Sequence, residues 1–361
     1  MSRLPEKIRH VRWSLIAPFL VLAVLAGLYS IWWVNLAGRI ETALLDWQQE
    51  QAGRGVSATW QKLETGGFPY RLQLDITEPE IGLTDTPDTW RWTADRLIAQ
   101  MLPYKLGHII IDAPGPQTVH YTDTRAEGPQ HFAVHIDAET FWASLVEEDD
   151  NSRRIAIDIA AIVANRERLS DSGSELAGSA AATRLQLHAR PSPGSEENSF
   201  DAAFRGEDIS WTVPGDAPWP GTTITRLDAQ TRLSDLPDGL PRSLETFLPA
   251  AAARGTKLTF SEFTLVWGPI DMKGLGEMTL DAKGRPEGQF RTSVGNLDAL
   301  IDALVKADIV SRQSASLAFA GLTALSNLQG EEPGRVRLPV AMREGVLFLG
   351  PIAAARLQPL Y

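Results

Sequence analysis

Leu15 to Val34, LIAPFLVLAVLAGLYSIWWV, runs through 20 residues without a charge. At 1.5 Å of helical rise per residue such a stretch covers about 30 Å, the thickness of bilayer hydrocarbon. It predicts a membrane span, and a span fixes which side everything after it occupies. Arg3, Lys7, Arg9 and Arg12 precede it, whereas Asn35 to Gly53 holds Arg39 as its one basic residue. That bias keeps the amino terminus cytoplasmic and sends the rest across. Trp32 and Trp33 suit an interfacial aromatic belt. The competing reading is a cleavable signal peptide, since Ala23, Ala26 and Gly27 are small enough for a cleavage site. Apolar sequence continues well past them, so an uncleaved anchor is expected.

Charge and cysteine content then remove whole classes of function. Thirty-four basic against 45 acidic residues leave a net charge of −11, which repels phosphate backbones, so nucleic acid is not an expected partner. The chain has no cysteine; disulfides, thiolate nucleophiles and Cys-ligated metals are out.

Beyond the anchor, alternation of period two dominates. YRLQLDI, GHIIIDA, HFAVHID, RRIAIDIA, TRLQLHA, SFDAAFRG, TRLDAQTRL, KLTFSEFTLVW and GEMTLDA each read as a strand bounded by turn formers. Helical spacing is rarer. Residues 36 to 52 continue the anchor helix through Ile40, Leu44 and Trp47, and 242 to 254 and Glu139 to Val146 also carry helical spacing. Asn296 is read as the cap of a helix whose stripe is Leu297, Leu300, Ile301, Leu304 and Val305, and a second helix follows over about Ser314 to Leu328. Pro191 to Asn198 and Val213 to Gly221 read as loops flanking an inserted hairpin.

The expected fold is α+β and β-rich: a single transmembrane helix, then mostly antiparallel, twisted or curled sheets in two lobes, with a C-terminal helical pair. The boundaries are 1–14 for the basic tail, 15–34 for the anchor, 35–240 for the first lobe and 241–361 for the second. A displacement of 200 residues aligns Leu44 with Leu244, Ala52 with Ala252, Arg54 with Arg254, Gly55 with Gly255, Thr59 with Thr259 and Pro69 with Pro269. Each copy would run helix, Arg-Gly turn, strand and a proline corner. The corners are Phe68, Pro69 and Tyr70 in the first copy, and Trp267 and Pro269 in the second. Proline fixes φ and removes a ladder donor, so each corner ends one strand and folds the sheet back.

Catalytic signals are weak. KGLGEMT has Thr279 where a third phosphate-cradling glycine belongs, and no Gly-Lys-Ser/Thr occurs. His131 and His135 lie on a strand with His120 across the hairpin, and Asp137 or Asp123 nearby; polar-face histidines are the expectation over a metal site. Glu147 to Asp150 reads as a solvated acidic run at a helix end. Trp219, between two prolines, is a contact-loop candidate. No catalytic residue, cofactor or metal is expected, and a periplasmic hydrolase is the least favoured reading.

GGFPYRLQLDITEPEIG at 66 to 82, LDAKGRPEGQFRTSVGNLDALIDAL at 280 to 304 and VRLPVAMREGVLFLGPI at 336 to 352 resemble an uncharacterised family of bacterial inner-membrane proteins, a domain of unknown function. The last two stretches are also similar to the C-terminal segments of AsmA-like envelope proteins. That likeness implies a curled sheet with an apolar inner face that shields acyl chains. Ile155, Ile157, Ile159, Ala161 and Val163 would supply one such face; the expectation is that the helices at 242 to 254 and 296 to 328 cover such faces, and a sheet of this size is too short to bridge an envelope. The expected function is therefore that of a non-catalytic periplasmic envelope protein, held in the inner membrane by residues 15–34, with a lipid-like or protein ligand. The alternative is a scaffold or tethering factor.

Overall fold

The computed structural model describes residues 13–361 apart from 84–88, 125–127, 149–151, 171, 195–197, 213–219, 238–243, 309–310, 330–334 and 351. It opens with one unbroken helix, α1 (Trp13–Ala52). Among the described residues this is the one helix long and apolar enough to cross a membrane. Its apolar residues from Phe19 to Leu28 are exposed, so the protein itself does not cover them. The helix ends on Gly55 at φ 78°, a left-handed position that costs glycine nothing.

Ten strands follow: β1 (Val56–Thr59), β2 (Lys62–Gly66), β3 (Leu72–Thr77), β4 (Glu80–Leu83), β5 (Trp90–Ala94), β6 (Arg96–Leu102), β7 (Lys105–Asp112), β8 (Gln117–Asp123), β9 (Gln130–Asp137) and β10 (Thr140–Glu147). A meander of longer strands comes next: β11 (Arg153–Ser170), β12 (Gly173–Pro191), β13 (Phe200–Thr212) and β14 (Thr223–Ser234). Helix α2 (Leu244–Arg254) leads into β15 (Lys257–Trp267), β16 (Ile270–Leu280) and β17 (Pro286–Gly295). Then come α3 (Leu297–Lys306), α4 (Arg312–Gln329), β18 (Val336–Arg343), β19 (Val346–Leu349) and β20 (Ile352–Arg356).

Among the described residues the 20 strands form one sheet, and every pairing is antiparallel. Strand β11 is the junction. Its first half pairs with β10 and leads through β7, β6 and β3 to β2. Its second half pairs with β9 and leads through β8, β5 and β4 to β1. From its other edge the meander runs β12 to β20 in sequence order, with β14 paired to β15 across residue 240. The molecular surface is 23590 Å², against roughly 14,000 Å² for a compact protein of 39.5 kDa. A projecting helix and open sheet faces both contribute to that excess.

The nine alternating stretches all lie on strands, and the pair α3 and α4 is present. Glu139 to Val146 is not helical: Glu139 donates its backbone N–H to Ala160, and β10 follows, laddered to β7 and β11. The acidic run therefore follows a strand, with Glu147 its last residue. The sequence from Phe200 to Thr212 is an integral meander strand paired on both sides rather than part of an inserted hairpin. Asn296 does precede α3, but it sits at φ 52° and its side chain makes no cap; Leu300 N–H bonds its carbonyl instead. The segments 200 residues apart share local geometry. Gly255 has φ 74°, and its N–H bonds Ala252 O at 3.1 Å as Gly55 bonds Ala52 O at 3.1 Å. The gap between β1 and β2 at Trp60 and Gln61 corresponds to an irregularity in β15 between Phe260 and Phe263.

Candidate functional site on the apolar sheet face

Side chains alternate across a strand, so register decides which residues share a face. Ile155, Ile157 and Ile159 on β11 stand opposite Ala189, Leu187 and Leu185 on β12. Leu187 and Leu185 stand opposite Phe204 and Gly206. These meet Ala229 and Leu227, which meet Phe263 and Leu265 on β15. In the other direction Ile155 and Ile157 face Leu145 and Ala143, then Ile109 and Ile111, then Met101 and Ala99, then Leu72 and Leu74. The line ends at Val294 opposite Val336. One apolar track thus crosses twelve strands, from β3 to β18.

Its two ends are covered by helices. Trp33, Ala37, Leu36 and Ile40 of α1 pack on Leu72, Met101 and Ile109. Leu297, Leu300, Leu304 and Leu322 of α3 and α4 pack on Val294, Val336, Leu338, Ile270 and Met272. Between them Gly206 and Phe263 are buried, but Ile157, Ile159, Leu185, Leu187, Phe204, Leu227 and Ala229 are partly accessible and Ile155 is exposed.

Two devices shape this face. The first is a crease. Ala161 and Asp208 both have φ 49°, and the ladders skip Ala161 opposite Thr183 and Asp208 opposite Thr225. Thr183 donates its hydroxyl to Asp208 Oδ2 at 3.1 Å across this line. Alternation resets there: Ile162 stands opposite buried Ala182, while Val163 is 44 % exposed. The expected run through Ala161 and Val163 is therefore corrected, because a left-handed residue shifts the parity by one. On β13 a Cβ added to Gly206 would lie 2.6 Å from Ile209 Cδ1 and 3.2 Å from Phe204 Cε1. Phe204 and Ile209 thus share the apolar side although five residues apart, and Trp211 packs edge-on against Trp267 at 5.8 Å.

The second device is a glycine bed. A Cβ on Gly274 would meet Phe263 Cζ at 3.1 Å, and one on Gly276 would meet Phe290 Cδ1 at 2.6 Å. Phe260, Phe263 and Phe290 pack together at 5.5 to 6.0 Å in the space those glycines leave. The glycines of KGLGEMT serve aromatic packing.

The opposite face is polar and laced by Asp–Arg pairs. Arg184 Nη2 donates to Asp158 Oδ2 at 2.6 Å, Arg205 Nε to Asp228 Oδ1 at 2.9 Å and Arg232 Nε to Asp201 Oδ1 at 2.8 Å. The hydrogen bonds from Arg184 and Arg232 hold Asp158 and Asp201 below the usual carboxylate range. Burial pushes Asp228 upward, but bonds from Arg226 and Arg205 outweigh it and its pKa is lowered.

The corner residues Phe68, Pro69 and Tyr70 form the turn between β2 and β3, against Tyr29 and Trp33 of α1. Trp267 ends β15 and donates its indole N–H to Gly221 O at 2.8 Å, and Pro269 lies in the following turn. Trp219 lies outside the described residues. The histidines face threonines: His131 Nδ1 is 3.1 Å from Thr122 Oγ1, and His135 Nδ1 is 3.2 Å from Thr118 Oγ1. His120, beside a cavity of about 480 Å³, is pushed down by burial and then by Arg91. Among the described residues no three His, Asp or Glu gather closely enough to hold an ion.

No curated protein and no solved structure matches the chain. Residues 33–358 match a family model, and the similarity to AsmA-like proteins is not shown. Its span takes in the helix end that covers β3, the whole open face and the helical pair beyond it, so the chain belongs to a family of uncharacterised proteins conserved in bacteria, DUF2125.

Proposed function

We propose that the protein is held in the bacterial inner membrane by residues 15–34, with its sheet in the periplasm. There it serves the envelope without catalysis, holding a lipid-like molecule on the apolar face between β10 and β14. One observation carries this reading: apolar side chains stay in register across twelve strands, packed beneath helices at both ends, while Ile157, Ile159, Leu185, Leu187 and Leu227 between them are only part-buried. Each methylene kept from water contributes about 0.8 kcal/mol. A bilayer gives an acyl chain the same benefit, so this face has only to match the bilayer for a lipid to be held there. The non-catalytic part rests on the chemistry of the face, whose Ile, Leu, Ala and Phe side chains offer no acid, base or nucleophile. Eleven inter-strand steps of about 4.8 Å make the track roughly 50 Å long, which suits holding a molecule better than bridging two membranes.

Native mass spectrometry of the full chain, extracted in detergent, tests the reading. The expected spectrum shows a lipid adduct that is lost in Leu187→Glu. Wild type and variant both free of adduct, with the same unfolding midpoint, would overturn it. The same spectrum shows whether residues 1–27 are retained, as an uncleaved anchor requires.

A further inference from the structure

The turn holding Phe68, Pro69 and Tyr70 docks on α1 at the far end of the apolar stretch. Tyr29 donates its hydroxyl to Pro69 O, and Trp33 donates its indole N–H to Arg71 O at 3.3 Å. The Phe68 ring lies 6.2 Å from Tyr29 and 5.5 Å from Trp33, edge-on to the latter. These contacts fix the turn at the depth of Tyr29 to Trp33, where an aromatic belt belongs. A buried corner would turn its rings inward. Here Tyr70 is 83 % exposed, and Phe68, although packed on α1, keeps about half its surface open.

The neighbouring turn does the same. Leu72 pairs with Met101, which brings the β6–β7 turn alongside, and Arg71 Nη1 reaches Gln100 Oε1 at 3.3 Å. Tyr104 at its tip is 81 % exposed, and Leu102 and Leu106 flank it, also exposed. Two adjacent turns thus present five outward apolar or aromatic side chains beside two cations, Arg71 and Lys105. At the next position along this edge the sign changes: Gly107 lies against Glu147, which Glu148 follows, and carboxylates are repelled by anionic headgroups.

We infer that these two turns form a second membrane contact, seated in the headgroup layer of the bilayer that α1 crosses, with Tyr70 and Tyr104 as its anchors. The inference rests on the anchor reading given above. Tyrosine suits the role because its ring is apolar and its hydroxyl stays wet. Arg71 and Lys105 supply attraction to anionic phospholipid headgroups, which falls off within a Debye length of the surface. The contact ends where Glu147 begins, so the rest of the sheet edge rises away from the bilayer.

The absence of native cysteine allows single labels. Tyr70→Cys, Tyr104→Cys, Leu25→Cys and Ser261→Cys, each in the full chain, would carry an environment-sensitive fluorophore. They would be placed in nanodiscs of phosphatidylethanolamine and phosphatidylglycerol, with spin-labelled lipid as quencher. The expected result is that a shallow quencher dims the probes at 70 and 104 at least about twofold more than the probe at 261, while a deep quencher dims the probe at 25. Probes at 70 and 104 that respond no more than 261, with 25 still quenched, would overturn the second contact and leave the anchor standing. An unquenched probe at 25 would overturn both.

Discussion

The tetrapeptide Arg-Leu-Gln-Leu occurs twice, at Arg71 to Leu74 on the approach to and within β3, and at Arg184 to Leu187 within β12. In both copies the leucines lie on the apolar track and the glutamine on the other face. Their fates differ. Leu72 is 1 % exposed beneath α1, and Leu74 is also buried, whereas Leu185 and Leu187 remain half-open. Identical local sequence with unequal burial shows that the alternation specifies a strand and a face, while the cover is decided by which helix reaches it.

The largest test of that comparison is a paired truncation. Leu72→Ala is expected to cost about 3 kcal/mol of unfolding free energy, as large-to-small changes in a packed core do. Leu187→Ala should cost less than about 1 kcal/mol, because little packing is lost. Equal losses in denaturant titrations would erase the distinction between covered and open regions.

The far covered end offers a second test. Arg335 is nearly buried and holds Asp271 Oδ2 at 2.7 Å and Ser293 O at 2.8 Å. Arg335→Ala is expected to destabilise by about 2 kcal/mol in the same titration, since it strips a part-buried carboxylate of its partner. Next in size is Leu187→Glu. A carboxylate on the open face should cut retained lipid by about tenfold, equivalent to 1.4 kcal/mol, while barely moving the unfolding midpoint.

Two smaller effects concern the polar groups. Asp281 takes hydrogen bonds from the Arg285 guanidinium and the backbone N–H groups of Lys283 and Arg285, which lower its pKa to about 2. A depressed folded-state pKa adds stability above the unfolded value near 4 and loses it as pH falls toward 2. Asp281→Asn should therefore narrow its gap from wild type between pH 4 and pH 2, read as urea midpoints. The smallest change is Asp158→Asn, expected at or below about 1 kcal/mol because Arg184 is half-exposed.

The strands were legible because their alternation is long and bounded by turn formers. The error at Glu139 to Val146 has a simple origin: residues four apart share a face in a strand as well as in a helix. Phe141 with Leu145, and Trp142 with Val146, therefore fit both, and only Ala143 at the intermediate strand position tells them apart. The reset at Ala161 left no trace, since alanine has no preference for the left-handed region, while the matching bend at Asp208 uses a residue type that visits it more readily. Of the candidate site, Ile155, Ile157 and Ile159 were readable one strand at a time. Joining them to Leu187, Phe204 and Leu227 needed the register, which depends on partners far away in sequence.

Helix α1 runs without interruption from Trp13 to Ala52, first through the stretch suited to hydrocarbon and then along the sheet, where Gln48 donates to Ala58 O and Thr65 donates to Glu41. A rod of 40 residues, about 60 Å long, leaves no swivel between its two halves. With the anchoring proposed above, tilting it within the lipid would swing the sheet by the same angle, so the interfacial anchors that set the tilt would also set the direction in which the open leucines point.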